Sequence, residues 1–326
     1  MFPGKCLTLG INFPKSYVEQ FKGPRFGISG IRKLLNIEDR PLLMVVSKPK
    51  IGMTPKETAQ QAYDCALSGI DLFKDDEAMT ETWNSKFDDR LDAVLEALQK
   101  AEKKTGRKVL YFITVTDEIN KVMEKATRAV KRGATGFLLC CSTGWSQLRV
   151  LAESDDIDVP ILYHLTTCSP YLDRMSFTVF NKISRLCGAD LLIIPPFWGT
   201  LPITTFEDEL RSVQVLKSKF FHIKQSFPMV GGGVYVGMVP AIWNQYGKDI
   251  IFEAGGGIFG HPSGNRAGCE AFHQAFKAMA ENKTLAQASK ENKYLLEALQ
   301  KWGELERPFT QNDGLFNKWG LKRISY

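Results

Sequence analysis

The stretch GIDLFKDDE, at residues 69–77, contains the residue types whose spacing is best suited to chemistry. It is a short apolar run that ends in Lys74 and continues with the carboxylates Asp75, Asp76 and Glu77. Mg²⁺ prefers oxygen ligands in octahedral geometry, and Asp76 and Glu77 would supply two of them. We expect Asp75 to face away from a metal, because successive side chains at a strand end alternate sides. The sequence therefore indicates a magnesium site.

Lys74 itself has two interpretations. As an ammonium group it would repel a metal and form a salt bridge with its acidic neighbours. As an amine that has reacted with CO₂ it would be a carbamate, which carries negative charge and supplies a third oxygen ligand. That reaction requires a neutral amine, and burial out of water lowers the pKa of a lysine. The residues alone leave both interpretations open.

Short apolar runs alternate with helical stretches along most of the chain. The runs are continuous, which is typical of parallel strands buried on both faces, and each parallel return needs a crossover. The apolar runs cover residues 41–48, 69–74, 109–116, 135–142, 159–166, 189–195, 227–233 and 249–257. Helices are predicted at residues 54–68, 84–105, 117–132, 144–154, 174–187, 206–219, 235–247 and 264–281. Eight such units predict an α/β fold of the closed (β/α)₈ TIM-barrel type, with a doubly wound open sheet as the alternative.

The pattern also divides the chain into three parts. We expect a lead-in segment at residues 1–40, a barrel catalytic domain at residues 41–282, and a helical tail at residues 283–326.

Polar residues and glycines gather where the predicted strands end, which is where barrels carry their reactive groups. The first run ends in SKPK, with Lys48 and Lys50, and the fifth carries His164. The seventh and eighth runs end in three glycines each. Glycine lets backbone amides approach an anion closely, and barrels often bind phosphate after strands 7 and 8, although a single glycine run can simply mark a tight turn. The predicted phosphate-binding residues are Gly231, Gly232, Gly233, Gly255 and Gly256.

Composition argues against several classes of protein. The 42 basic and 36 acidic residues give a formal net charge of +6, but no basic block alternates with aromatics, so we expect no nucleic-acid partner. No apolar run reaches ~18 residues and no signal pattern opens the chain, so we expect no membrane association and a cytoplasmic location. The seven cysteines include no CxxC and the four histidines have no zinc-like spacing, so we expect reduced thiols and no zinc.

Taken together, these motifs resemble the large subunit of RuBisCO over roughly residues 12–300. SGIDLFKDDE is similar to the family's metal-binding motif, in which the lysine is carbamylated and the following Asp and Glu bind Mg²⁺. RPLLMVVSKPKIGMTP resembles its first barrel strand with the catalytic lysines. GGGVYVGMVPAI and FEAGGGIFGHPSGNRAGCEA resemble its seventh and eighth strands, and YVEQFKGPRFGISGIRKLL resembles the segment that leads into the barrel. The resemblance implies Mg²⁺ and CO₂, as the carbamate of Lys74, as cofactors.

The sequence also departs from the carboxylases of that family. They have a lysine on the loop after strand 6, but no lysine occurs here between Lys182 and Lys217. Their His-x-His-Arg after strand 5 is replaced by His164-Leu-Thr-Thr, which lacks the phosphate-binding arginine, and Gly231 replaces a serine. The chain opens almost at the barrel, so we expect the contribution of the family's N-terminal domain to be missing or to come from elsewhere. With these departures the chain resembles the RuBisCO-like proteins of the family. Members of that group enolise or isomerise phosphorylated substrates, including sulfur-containing sugars of methionine salvage.

The resemblance implies proton abstraction next to the carbonyl of a small phosphorylated substrate, as in 2,3-diketo-5-methylthiopentyl-1-phosphate enolase. Lys48 is the predicted base, and its alternative role is to bind the phosphate. Lys50 is a further catalytic candidate that could instead be a surface charge. His164 is another, with a purely structural role as its alternative. Phe197 and Trp198 either line the substrate or pack against the rim. A homodimer, with an N-terminal-domain partner as a further option, is implied as the assembly. The alternatives are a genuine carboxylase and a non-catalytic barrel subunit.

Overall fold

Parallel strands form a closed barrel in the computed structural model, which describes residues 7–197, 199 and 203–305. Each strand pairs with the next in chain order, and the last pairs with the first, so the sheet has no edge. Within the described residues the strands are β1 (Leu42–Val46), β2 (Leu72–Lys74), β3 (Leu110–Thr114), β4 (Phe137–Cys140), β5 (Ile161–His164), β6 (Leu191–Ile194), β7 (Phe227–Val230) and β8 (Ile251–Ala254). The predicted barrel is confirmed, and the open sheet is wrong.

Helices surround the barrel close to the positions that the sequence predicts. Thr54 illustrates why they begin where they do. Its side chain accepts the N–H of Glu57, and the carboxylate of Glu57 accepts the N–H of Thr54. In the described ranges the helices are α1 (Lys15–Val18), α2 (Gly27–Leu35), α3 (Pro55–Leu67), α4 (Phe87–Thr105), α5 (Ile119–Lys131), α6 (Gly144–Glu153), α7 (Ser169–Leu172), α8 (Phe177–Leu186), α9 (Phe206–Lys217), α10 (Val239–Tyr246), α11 (Gly256–Phe259), α12 (Asn265–Ala280), α13 (Leu285–Ala288) and α14 (Lys293–Trp302). Short 3₁₀ turns occupy Cys141–Thr143 and Val236–Met238.

The barrel interior and its outer surface form two separate apolar cores. Inward-facing strand residues such as Met44 and Phe112 fill the interior, and Ile28 and Ile31 of α2 close it from below. The opposite faces of the strands pack against the surrounding helices. Helix α2 therefore belongs to the barrel core, although it lies within the predicted lead-in segment.

The predicted helical tail begins as part of the same core. Leu285 of α13 and Leu295 and Ala298 of α14 are buried against the outer surface of the barrel. The rest of the predicted tail, residues 306–326, lies outside the described residues. Among the described helices, none combines the length and the apolar character needed to cross a bilayer.

A buried carboxyl on α9 should make stability depend on pH. Glu209 accepts the N–H of Phe197 at 2.6 Å and the hydroxyl of Tyr246. Burial outweighs these two bonds and raises the pKa of Glu209 to about 7, from 4.5. Because the folded-state pKa is the higher one, this group's contribution is complete below about pH 4.5 and is lost as pH rises through about 7. We expect the free energy of unfolding of the wild type to fall by on the order of 1–3 kcal/mol over this pH range because of Glu209, and Glu209→Gln to lack that fall.

Urea unfolding between about pH 4.5 and about pH 8 measures the effect. The exposed neighbour Glu207→Gln is the matched control and should keep the wild-type profile. Asp190, whose pKa burial raises to about 6, contributes to the slope in all three proteins. A wild-type slope in Glu209→Gln would show that Glu209 titrates in the folded protein as it does in water.

Candidate active site

Lys74 lies at the C-terminal end of β2, fully buried among carboxylates in the mouth of the barrel. Its Nζ is 3.3 Å from Oε1 of Glu253 and 3.6 Å from Oε2 of Glu77, and its side chain is 0% exposed. Nζ also donates to the backbone carbonyl of Asp75 at 3.2 Å. The lysine is therefore the centre of the acidic cluster.

The pKa of Lys74 differs from the expectation drawn from burial. Burial does lower the pKa, but the charges of Glu253, Glu77 and Asp76 together outweigh it and raise the pKa above its ordinary value. The expectation of a lowered pKa counted burial alone and left out the carboxylates that the fold places around this amine. A neutral amine here requires that positive charge from elsewhere first offset those carboxylates.

The two lysines of the SKPK motif extend over the same carboxylates. Nζ of Lys48 lies 2.5 Å from Oδ2 of Asp76, and Nζ of Lys50 lies 3.8 Å from Oε1 of Glu77. Lys50 is 61% exposed, so its ion pair is worth little by itself. The structure thus brings the predicted lysines and the predicted metal ligands into one cluster.

His164 is buried at the end of β5 and faces Glu77. Its Nδ1 accepts the N–H of Thr166 at 3.1 Å, so the ring proton is on Nε2, which is 3.5 Å from Oε2 of Glu77. Burial, followed by the charge of Lys74, holds the pKa of His164 well below its usual range. His164 is therefore a neutral ring whose Nε2 faces Glu77.

The two glycine runs pack directly against each other. A Cβ on Gly257 would lie 2.3 Å from the carbonyl oxygen of Val234, so contact between the loops requires glycine there. Gly232 and Gly233 have φ of +108° and +83°, a region that favours glycine. In the described part of the chain, the N–H groups of these two residues have no backbone acceptor. Backbone amides suited to an anion therefore lie at this position.

Gly231 is an exception among the predicted phosphate-binding residues. It is buried, and its N–H donates to the carbonyl of Ile194 at 3.3 Å. Its amide is therefore not available to a phosphate. The prediction for Gly231 is wrong because the β6–β7 ladder continues one residue further than the glycine run suggested.

Lys48 connects the glycine loops to the acidic cluster. A Cβ added to Gly255 would lie 3.2 Å from Cε of Lys48 and 2.9 Å from Cγ1 of Val46. The stem of Lys48 therefore passes beside Gly255, while its Nζ pairs with Asp76 at 2.5 Å.

Asp75 faces away from the cluster, as the alternation of side chains predicts, and enters a buried network behind β2. Its carboxylate accepts the Tyr111 hydroxyl at 2.5 Å, the N–H of Thr114 at 3.1 Å and Nε of Arg90 at 3.2 Å. The remaining nitrogens of Arg90 donate to the loop after β2, at the carbonyls of Met79, Thr80 and Ser85 and the hydroxyl of Ser85. Arg90 therefore fixes the loop that follows Glu77.

Two residues of this region are absent from the sequence-based prediction. Glu253 could have been found, because it is a charged residue inside the apolar run DIIFEA. Arg90 had no such signal, since a basic residue on an amphipathic helix usually faces water. Of the proposed rim residues, Phe197 packs against Phe206 with ring centroids 6.0 Å apart, and Trp198 lies outside the described residues.

The residues of the cluster fit Mg²⁺ if Lys74 is a ligand. No three His, Cys, Asp or Glu side chains within the described ranges form a metal site by themselves. Asp76 and Glu77 are oxygen donors, and a carbamate on Lys74 would add the oxygens that they lack. The hydroxyl of Thr114, at the next inward position on the adjacent strand β3, is buried without a hydrogen-bond partner in the described structure, so it could donate to an added group.

The fold and the site define a class of protein: a (β/α)₈ barrel with a metal-suited cluster of carboxylates and lysines at the C-terminal ends of its strands. Residues 27–302 match the family model described as ribulose bisphosphate carboxylase large chain, catalytic domain. The chain belongs to that family.

Similar proteins include both carboxylases and RuBisCO-like proteins. The chain is 39% identical to a ribulose bisphosphate carboxylase-like protein of Archaeoglobus fulgidus, over 91% of this chain and 70% of the relative. It is 34% identical to a 2,3-diketo-5-methylthiopentyl-1-phosphate enolase of Bacillus licheniformis, over 93% of this chain and 76% of the relative. A crystal structure of a rubisco-like protein from Alicyclobacillus acidocaldarius superposes with a TM-score of 0.85 at 33% identity, over 90% of this chain and 74% of that one.

The relatives are longer than this chain, which spans 65% of a ribulose bisphosphate carboxylase-like protein of Allochromatium vinosum. Solved structures similar to it include an octameric Rubisco from Pyrococcus horikoshii, with a TM-score of 0.86, 31% identity, and coverage of 90% of this chain and 70% of that one. They also include a dimeric Rubisco from Hyperthermus butylicus, with a TM-score of 0.84, 31% identity, and coverage of 90% and 72%. The family thus contains enzymes and oligomers.

Proposed function

We propose that this protein is a Mg²⁺-dependent enolase or isomerase of the RuBisCO-like group, which removes a proton next to the carbonyl of a phosphorylated, sugar-like substrate. The observation that carries the proposal is the position of Lys48, whose stem lies beside Gly255 and whose Nζ lies 2.5 Å from Asp76. One side chain thereby extends from the loops suited to phosphate, along its stem, to the metal-suited cluster, at its amine. The similarity to 2,3-diketo-5-methylthiopentyl-1-phosphate enolases supports the same reaction type.

Lys74 as its carbamate, Asp76 and Glu77 are the residues that would hold Mg²⁺. Bound there, the ion would supply Lewis-acid polarisation of the substrate carbonyl, worth several kcal/mol. Conversion of Lys74 from ammonium to carbamate changes its charge from +1 to −1. This loss of two positive charges offsets the two positive charges that Mg²⁺ would bring. CO₂ capture and metal binding should therefore favour each other, since the carboxylates alone favour the ammonium form.

The protein's own residues then have distinct roles. The amines of Lys48 and Lys50 lie over the cluster, and Lys48 accepts the proton from the carbon next to the carbonyl. His164 orients Glu77 through its Nε2–H. The amides of Gly232, Gly233, Gly255 and Gly256 bind the phosphate. Such base catalysis contributes a factor of about 10²–10⁴.

Deuterium exchange tests this function. The protein would be incubated with Mg²⁺, bicarbonate and a panel of phosphorylated ketoses and ketonic acids in D₂O, with NMR following label at the carbon beside the carbonyl. Exchange that Lys48→Met abolishes at saturating substrate would support the base. If Lys48→Met raises KM and leaves kcat unchanged, Lys48 is a phosphate clamp instead. If the protein binds Mg²⁺ but introduces deuterium into none of the compounds, the result would contradict the proposal and favour a non-catalytic barrel.

We also propose that the protein acts in the cytoplasm as a homodimer. The dimeric and octameric assemblies of similar structures support self-association. Light scattering of the purified chain would measure its oligomeric state, and a monomer would contradict the proposal.

Gly255→Ala should lower the exchange rate by up to about 10²-fold, which is the cost of a misplacement of about 1 Å. The added Cβ would lie 2.9 Å from Cγ1 of Val46 and 3.2 Å from Cε of Lys48, so both side chains must shift and the amine moves with the stem of Lys48. Metal affinity should fall less than the exchange rate, since the substitution leaves the proposed ligands Lys74, Asp76 and Glu77 unchanged and acts on them only through the ion pair of Lys48 with Asp76. Gly10→Ala, at an exposed glycine outside the left-handed region with no atom within 4 Å of an added Cβ, controls for the general effect of substituting a loop glycine. Equal activity of Gly255→Ala and wild type would place Lys48 outside the chemistry.

A further inference from the structure

Glu253 is a partly buried carboxylate in the mouth of the barrel to which the proposed reaction assigns no role. It faces inward from β8, and its side chain is 11% exposed. Oε1 lies 3.3 Å from Nζ of Lys74. On the other side, a Cβ added to Gly231 would lie 1.8 Å from Oε2. One oxygen therefore contacts Lys74, and the other fills the space that a side chain at position 231 would need.

We propose that Glu253 is a positioning residue for Lys74: it accepts a hydrogen bond from Nζ–H and orients that nitrogen so that the carbamate reaches the metal. The inference rests on the proposed function, which requires the carbamate. When the amine attacks CO₂, an N–C bond forms, one C=O electron pair moves to oxygen and one proton leaves to water. One N–H remains on the nitrogen, and Glu253 is placed to accept it.

Metal-ligating histidines show the same arrangement, since they donate their second N–H to a carboxylate that fixes the ring. Loss of such a partner typically costs about 10–100-fold in metal affinity. The contact also explains Gly231, because any larger residue there would force Glu253 away from its present position. Glu253 and Gly231 should therefore behave as a coupled pair.

The test compares metal and CO₂ binding in the full chain, without any assay of activity. Mn²⁺ affinity would be measured by electron paramagnetic resonance in bicarbonate buffer, and the carbamate by ¹³C NMR with labelled bicarbonate and Mg²⁺. We expect Glu253→Ala to weaken Mn²⁺ binding about 10–100-fold and to reduce the carbamate signal. Glu253→Gln should retain most of both, because its amide oxygen can still accept the N–H.

Gly231→Ser provides a second route to the same contact. Its Cβ would displace Glu253, so we expect a loss of Mn²⁺ affinity similar to that of Glu253→Ala, and no further loss when both changes are combined. Additive losses would overturn the coupling. Wild-type affinity and carbamate in Glu253→Ala, or a larger carbamate signal, would overturn the inference and leave the proposed function intact. A wild-type protein that forms no carbamate would overturn both.

Discussion

Lys74→Arg loses Mg²⁺-dependent deuterium exchange by a factor on the order of 10³ or more, while its fold remains intact. Arginine keeps the positive charge that pairs with Glu77 and Glu253 but cannot become a carbamate. The loss corresponds to the several kcal/mol that the metal ion supplies, at about 1.4 kcal/mol for each tenfold change in rate. NMR exchange rates and Mn²⁺ affinity measure the effect.

Lys74→Met separates the chemical role of the lysine from its structural one. This variant removes the cation that pairs with the partly buried Glu253, and loss of one partner of a buried pair typically costs about 3–5 kcal/mol of stability. Combination with Glu253→Gln should recover part of that stability and none of the exchange. Exchange at the wild-type rate in Lys74→Arg would contradict a carbamate at this position.

Arg90→Leu should lower the free energy of unfolding by about 3–5 kcal/mol, because it leaves Asp75 buried without its partner. Both side chains are almost fully buried, with exposed fractions of 1% and 0%. The substitution also removes the donors that hold the loop after β2. We therefore expect metal affinity to fall together with stability, although Arg90 contacts no proposed ligand. Urea unfolding and Mn²⁺ titration measure the two effects.

Two further variants make the Arg90 result specific. Arg174→Leu, at an exposed arginine whose ion pair with Asp173 is 3.9 Å long, should change stability by less than about 0.5 kcal/mol. Arg90→Leu combined with Asp75→Asn should cost less than the sum of the single changes, because the two partners share one interaction. An additive result would show that Arg90 acts through packing alone.

The barrel could be predicted from the sequence because its strands are buried on both faces and its helices have recognisable starts. Continuous runs such as LLMVV in β1 cannot belong to a half-exposed antiparallel sheet, and Thr54-Pro55 marks the start of α3. The role of helix α2 in the lead-in segment could not be predicted, since no local pattern shows that Ile28 and Ile31 close the bottom of the barrel. That contact depends on closure of the sheet, which is a property of the whole chain.

The site could be predicted where chemistry is local in sequence, as in Lys74, Asp76 and Glu77. It could not be predicted where two distant segments meet. Of the charges that raise the pKa of Lys74, the largest contribution comes from Glu253, which is 179 positions away along the chain and 3.3 Å away in space. The same holds for Gly231, whose amide bonds to Ile194 on the neighbouring strand, a contact that no local pattern indicates.

The central claim is that proton abstraction here depends on a metal held by a carbamylated Lys74. The most direct test measures deuterium incorporation into a phosphorylated ketose by the wild-type protein in four buffers, with and without Mg²⁺ and with and without bicarbonate, each after chelation and removal of dissolved CO₂. We predict exchange when both are present, its loss when either is withheld, and its return when the missing component is restored. Exchange that continues without Mg²⁺ or without CO₂ would contradict the claim.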